Sequence, residues 1–204
     1  MTFLELCQRL RQEVGATGSG PNNTAGQSGE YARLVSWIRT AWQEIQNDRR
    51  WAFDWAKGEV ELSADFAIYA LPADFDVWEA DTLRFSGAPI DVVPWGQLRQ
   101  VGGDTFTCVA IAPDSTLHLN ALPSIDGPLT FEYWRTPQEL TSGTDSPRMP
   151  ARFHMLIVYR AMIQYALYEN AQEVLRQAGI NERSIFNRLM VSQLPVVSME
   201  GPLA

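Results

Sequence analysis

The apolar positions follow a helical spacing at both ends of the chain and a period of two between them. Near the start, Phe3, Leu6, Cys7, Leu10 and Val14 recur at intervals of three and four, the stripe of a helix with one buried face. Thr2 and Glu5 form a capping box, so a helix is expected over about Thr2–Val14. A second stripe, Tyr31, Leu34, Val35, Ile38, Trp42 and Ile45, is widened by Trp37 and Ala41. It predicts a helix over about Ser28–Asn47, capped by Ser28. The loop between them, Gly15–Gly29, is rich in glycine but lacks the Gly-Lys-Ser/Thr ending of a phosphate loop, and no strand precedes it. It reads as a flexible connection, of the kind a partner can order.

After the second helix, Trp51, Phe53 and Trp55 alternate as in a strand. Beside Arg49 and Arg50 they suggest stacking on single-stranded nucleic acid. The competing and simpler reading is an aromatic plug on the end of a helical bundle. From about Lys57 to Leu140 apolar residues alternate with polar ones: Val60 and Leu62, Leu83 and Phe85, Phe106 to Ala110, Leu117 and Leu119, then Leu129, Phe131 and Tyr133. Turn signals such as Ser86-Gly87, Pro113-Asp114 and Asp126-Gly127-Pro128 separate these runs. The segment predicts a small antiparallel β unit, with one helical turn near Trp95–Gln100. The helical period then returns. A long helix is expected over about Pro150–Ala178, stopped by Gly179, and a last one over about Asn181–Leu194.

The expected fold class is therefore α+β. Residues 1–55 and 141–194 supply a bundle of two N-terminal and two C-terminal helices, residues 56–140 an inserted antiparallel β unit, and residues 195–204 an extended arm. That arm carries Leu194, Val196, Val197, Met199 and Leu203 without a helical or strand period. Pro195 and Pro202 forbid a continuing helix, so these apolar side chains are candidates for docking on a partner.

Composition narrows the function. The 204 residues, 46% apolar with seven tryptophans, can bury a core, while a charged fraction of only 20% leaves surface for contact with neighbours. A formal net charge of −8 disfavours gripping nucleic acid, which needs clustered Lys and Arg. Cys7 and Cys108 share no metal-type spacing and are expected as two reduced, buried thiols. No basic-then-apolar leader is read at the start, and Phe153–Leu167 is interrupted by Arg160 and Gln164, too polar to span a membrane.

Candidate chemistry is sparse. His118 and His154 have no partner at metal-ligand spacing. Paired carboxylates among Asp74, Asp76, Glu79 and Asp81 are what a glycosidase would need, yet acidic residues are equally ordinary in turns. The expectation is no catalysis, no cofactor and no metal site.

Two blocks resemble a known family. The first is the helix pattern Trp37, Ile38, Ala41, Trp42, Ile45, Gln46 followed by Trp51 and Phe53; the second is Tyr133, Arg135 and Pro137 followed by Pro150, Phe153 and His154. Both are similar to blocks of tailed-bacteriophage head-to-tail adaptor (connector) proteins. The resemblance implies a structural virion protein, made in the host bacterial cytoplasm and placed at the head-tail junction. It implies an adaptor ring, usually of twelve subunits, that binds the portal above and a nozzle or tube protein below and continues the DNA channel. Double-stranded DNA would pass without specific contact, with Arg49 and Arg50 as candidates for touching phosphates at the wall. The arm's apolar residues would dock on the portal or a neighbouring subunit, and no membrane is involved. A tail-completion or tail-tube protein is the alternative, and a peptidoglycan hydrolase using the Asp74–Asp81 cluster a third reading.

Overall fold

The computed structural model describes residues 1–79, 81–101 and 103–194. The fold is α+β, and the chain divides into two compact units, one of residues 1–53 with 137 onward and one of residues 54–136.

The first unit opens with α1 (Phe3–Glu13). Its first amide groups, which have no partner inside the helix, are all accounted for. Phe3 N donates to Asp145 O at 2.7 Å and Leu4 N to Gly143 O at 3.0 Å. Glu5 N donates to Thr2 Oγ1 at 3.3 Å while Glu5 Oε2 accepts from Thr2 N, so the capping box forms as the sequence predicts. The loop after α1 is held by its own chain. Arg11, almost fully buried, donates through Nε and Nη2 to Thr17 O, pairs with Glu30 and lies over the Tyr31 ring. Gln8 Nε2 donates to Pro21 O at 3.0 Å, and Gly20, at φ +90°, lets the loop backbone come against Gln8 Cα. The connection expected here as flexible is tethered to α1 by these contacts within its own chain.

Next comes α2 (Gly29–Asp48), which buries Leu34, Val35, Ile38, Ala41, Trp42 and Ile45. Ser28 stands at its cap position but makes no side-chain capping bond. The RRWAFDW segment departs from the expected strand: Ala52–Asp54 is a single 3₁₀ turn, and the strand begins only at Trp55. The turn stacks Phe53 between Trp42 and Trp51, with ring centroids at 5.9 and 6.0 Å, and Trp51 meets Phe186 edge-on. Trp51 Nε1 donates to Ile45 O, so the indole closes the end of α2 rather than pointing along a sheet.

The long C-terminal helix is two helices. A 3₁₀ turn at Ala151–Phe153 leads into α4 (Met155–Tyr168), and a second helix follows over Gln172–Gln193 (α5; the label α3 belongs to a short helix of the second unit). The break falls at Asn170, whose φ of 55° is a left-handed conformation that asparagine tolerates and that ends a helix as a glycine would. Gly179, expected as the stop, lies inside α5 with no special dihedral. Two C-terminal helices form as expected, but weighting glycine above asparagine as a terminator placed the boundary between them about nine residues too late. Helix α4 packs on α1, α2 and α5, which explains why it is apolar on two sides: Leu156, Ile157, Val158, Ala161 and Met162 are all buried. Arg160, the polar interruption in that run, ties three helices together. Its guanidinium donates to Asp48 Oδ2 and Glu182 Oε1, each at 2.6 Å, and covers the Phe186 ring.

The second unit is two sheets rather than one. Strands β1 (Trp55–Leu62), β3 (Phe75–Trp78), β4 (Arg84–Phe85), β5 (Ala88–Pro89) and β9 (Gly127–Arg135) form a five-stranded sheet. Its order is β1-β9-β4-β5, with β3 also paired to β9. Strands β2 (Ile68–Ala70), β6 (Asp91–Val92), β7 (Cys108–Ile111) and β8 (Thr116–Leu119) form the other, in the order β2-β8-β7-β6. The pair β6–β7 is parallel, so the unit is mixed and not wholly antiparallel as expected. The helix α3 (Trp95–Leu98) is the physical reason. It carries the chain from β6 back to the start of β7, which an antiparallel hairpin would not do. Val93, Trp95, Leu98 and Val101 cover Cys108 and Ala110, while Val109 faces the larger core with Leu117, Leu119 and Leu129. Buried on both faces, β7 does not show the one-sided alternation expected for Phe106–Ala110.

Candidate functional site

Most side chains singled out as possible chemistry are engaged in holding the fold. Asp74 accepts from Tyr133 Oη at 2.8 Å and faces Arg135 Nε at 3.3 Å, while its backbone carbonyl accepts from Thr136 N. Burial, and then the hydrogen bond to Asp74, push the Tyr133 hydroxyl above its ordinary range. Glu79 accepts from Trp134 Nε1, its amide donates to Glu132 O, and Asp76 is exposed. Asp81 sits at φ 62° with its carbonyl accepting from Arg84 Nη1. The Asp74 and Glu79 carboxylates fasten the strand ends around β3 and β9 as separate contacts.

The two histidines are also occupied. His118 Nε2 lies 3.0 Å from Thr116 Oγ1, with its ring edge-on to Trp95. His154 is buried between the Met1 amino group, 2.8 Å from Nδ1, and Met149 O, 2.8 Å from Nε2. Those contacts suit the neutral ring, with Nε2–H donating and Nδ1 accepting. Burial, aided by the neighbouring amino cation, holds its pKa below the ordinary value of 6.5. An unfolded chain therefore takes up this proton first, and the stability His154 confers is whole above about pH 6.5 and lost as the pH falls toward the folded value. Asp114 and Asp145, both lowered by hydrogen bonds from neighbouring loop groups, act only near and below their ordinary value of 3.8. Between pH 7.5 and 5 the melting temperature is thus expected to fall, and His154→Gln to flatten that dependence. A slope unchanged by the substitution, read by thermal unfolding across pH, would assign it to another group.

Burial drives the Cys7 thiol up to about 12 and raises Cys108 as well; both are free and buried. Among the described residues no group of His, Cys, Asp and Glu is placed to hold a metal ion, and no helix is long and apolar enough to cross a membrane.

Of the residues expected to meet partners, Arg49 and Arg50 stand exposed just past the end of α2, Arg49 donating to Asp48 O. Leu194 ends α5 half-buried against the helical core, so part of its apolar surface is already covered within its own unit. Val196, Val197, Met199 and Leu203 lie outside the described residues. What the sequence reading missed is surface rather than chemistry. Ile180 on α5 is 57% exposed, and Phe66, Ile68, Leu122 and Ile125 stand out around β2 and the loop before β9. Single exposed apolar residues carry no periodicity, so no pattern in the sequence announces them.

These features define an α+β protein with exposed apolar side chains and exposed arginines on its described surface. The model of the SU10 adaptor protein family matches residues 1–199, and the chain belongs to that family. The resemblance carried by the Trp37–Phe53 and Tyr133–His154 blocks is therefore one of true membership. No curated protein sequence matches the chain.

Proposed function

We propose that this chain is a structural subunit of the phage head-to-tail connector, catalysing no reaction and forming an adaptor ring between portal and tail that continues the DNA channel. The observation that carries this reading is the adaptor-family match across residues 1–199. In the ring, the helices act as one bundle and residues 54–136 as its inserted β part, a division supported by the two compact units. The acidic balance favours a wall along which double-stranded DNA slides, with Arg49 and Arg50 making the few phosphate contacts. The apolar positions Val196, Val197 and Met199 dock on the portal or a neighbouring subunit, and the free chain stays monomeric or loosely associated until portal is present.

Co-assembly with purified portal tests the reading. The chain is expected to add a ring to portal particles in electron micrographs, and a peptidoglycan suspension mixed with it to keep its turbidity. Replacing Val196, Val197 and Met199 by serine should abolish stable attachment while leaving the melting temperature unchanged. A chain that joins tail-tube protein but never portal would overturn the reading.

A further inference from the structure

Helix α5 carries a glycine that the described residues of its own chain do not use. Gly179 lies mid-helix, where glycine disfavours helix formation about fivefold relative to alanine. Its dihedrals are ordinary, and among the described residues a Cβ added there would meet nothing within 4 Å. Neither backbone conformation nor packing among the described residues calls for a bare backbone at this position. The remaining physical use of a glycine is close approach by something outside.

The surroundings say what kind of thing approaches. Gly179 lines an open groove with Leu175, Arg176, Ile180 and Arg183. Ile180 is 57% exposed, and an exposed aliphatic beside a bare backbone suits a protein surface better than a phosphate chain. Arg176 pairs with Glu173, whereas Arg183 is exposed and meets no acidic partner among the described residues. With Arg183 uncompensated, the face is complementary to an acidic one, and a contact between unlike faces of identical chains is the kind that closes rings.

The chain carries a face of that character. On the outward side of β1, Trp55, Lys57, Glu59 and Glu61 alternate with buried neighbours, and across the pair stands Glu132, whose carboxylate accepts from Trp55 Nε1 at 3.2 Å. Trp55 is 36% exposed, and Lys57 is drawn over its ring, leaving Glu59 and Glu61 as exposed acids. Carboxylates beside an open indole are what an arginine-bearing helix face can use, by charge-assisted hydrogen bonding and by stacking.

We infer that the Gly179 face of α5 in one copy seats on the acidic β1 face, around Glu59 and Glu61, of a second copy of this chain. The inference rests on the proposed ring and names the contact between its subunits. Three sets of variants test it, each scored by copies bound per portal particle and by melting temperature. Gly179→Leu should melt no lower than wild type yet fail to complete rings. Arg176→Glu with Arg183→Glu should fail likewise, as should Glu59→Arg with Glu61→Arg, while a mixture of the two charge-swapped chains regains full occupancy. Complete rings from Gly179→Leu, or no rescue in the mixture, overturn the inference. Rings that form normally from the Arg176→Glu, Arg183→Glu chain but lose retention of DNA would assign the face to nucleic acid and overturn it too. Disulfide trapping between Gly179→Cys and Glu59→Cys chains, mixed without portal at high concentration, reads the contact independently. If wild type never joins portal, the proposed function fails, whereas this cross-link alone decides the inference.

Discussion

Replacing Trp42 with alanine is expected to cost about 3–5 kcal/mol. Trp42 is fully buried on α2, stacked at 5.9 Å on Phe53, which in turn stacks on Trp51. Removing the indole leaves a cavity between α2 and the 3₁₀ turn, and it unseats Phe53 from one of its two neighbouring rings. For a chain of this length the melting temperature should drop by roughly 10 °C. Among the described residues the indole Nε1 is buried without a hydrogen-bond partner, so its polar atom contributes cost and not stability. Trp42→Phe therefore keeps a stacked ring while discarding that unpaired donor, and should cost only about 1 kcal/mol. Thermal unfolding of the two variants side by side is the measurement. Equal losses would mean that the indole's full volume, and not the stacked ring, is what the site requires.

The same aromatic group shows how much of this molecule is legible in its sequence. The stripes on α1 and α2 were readable because each helix buries one face, and a single buried face leaves a period of three to four. Helix α4 was readable as apolar on two sides, but the chain's turn at Asn170 was not, since asparagine reaches the left-handed region less often than glycine and gives a weaker signal. The RRWAFDW segment was legible as an aromatic plug on the helical bundle, but not in its backbone conformation. Three aromatics at every second position satisfy a strand pattern, yet Trp51 and Phe53 are set by stacking on Trp42 and Phe186, contacts between residues distant in sequence. In the β unit the alternating runs predicted strands correctly, whereas the parallel pair β6–β7 depended on where α3 sends the chain. The acidic cluster was legible as residues but not as roles. Only the positions of Tyr133, Arg135 and Trp134 show what Asp74 and Glu79 are bonded to.

Gly58→Ala should destabilise the second unit by about 2–3 kcal/mol, although it adds a single methyl group to a strand. Gly58 lies in β1 directly opposite Phe131 of β9. With no side chain at Gly58, the Phe131 ring lies over the bare backbone; an added Cβ would overlap the ring edge, 2.6 Å from Cζ. An exposed ring could swing away at little cost. This one is 3% exposed and is walled by Trp78 at 4.7 Å, Tyr133 at 5.7 Å and Phe75 at 6.2 Å between ring centroids. Any movement must be shared by those neighbours, so overpacking here approaches the upper end of its usual range. Alanine also restricts the unfolded chain, a gain of about 0.4–1 kcal/mol that the estimate already subtracts. The mechanism predicts a particular non-additivity. Phe131→Leu alone should be destabilising, because it opens space beneath Trp78. That same space accommodates the new methyl group, so the double variant should be more stable than the sum of the two losses by about 1 kcal/mol or more. A Gly58→Ala chain that melts with wild type would show that the ring yields freely. Additive losses would show that the cost lies in the strand backbone and not in the Phe131 ring.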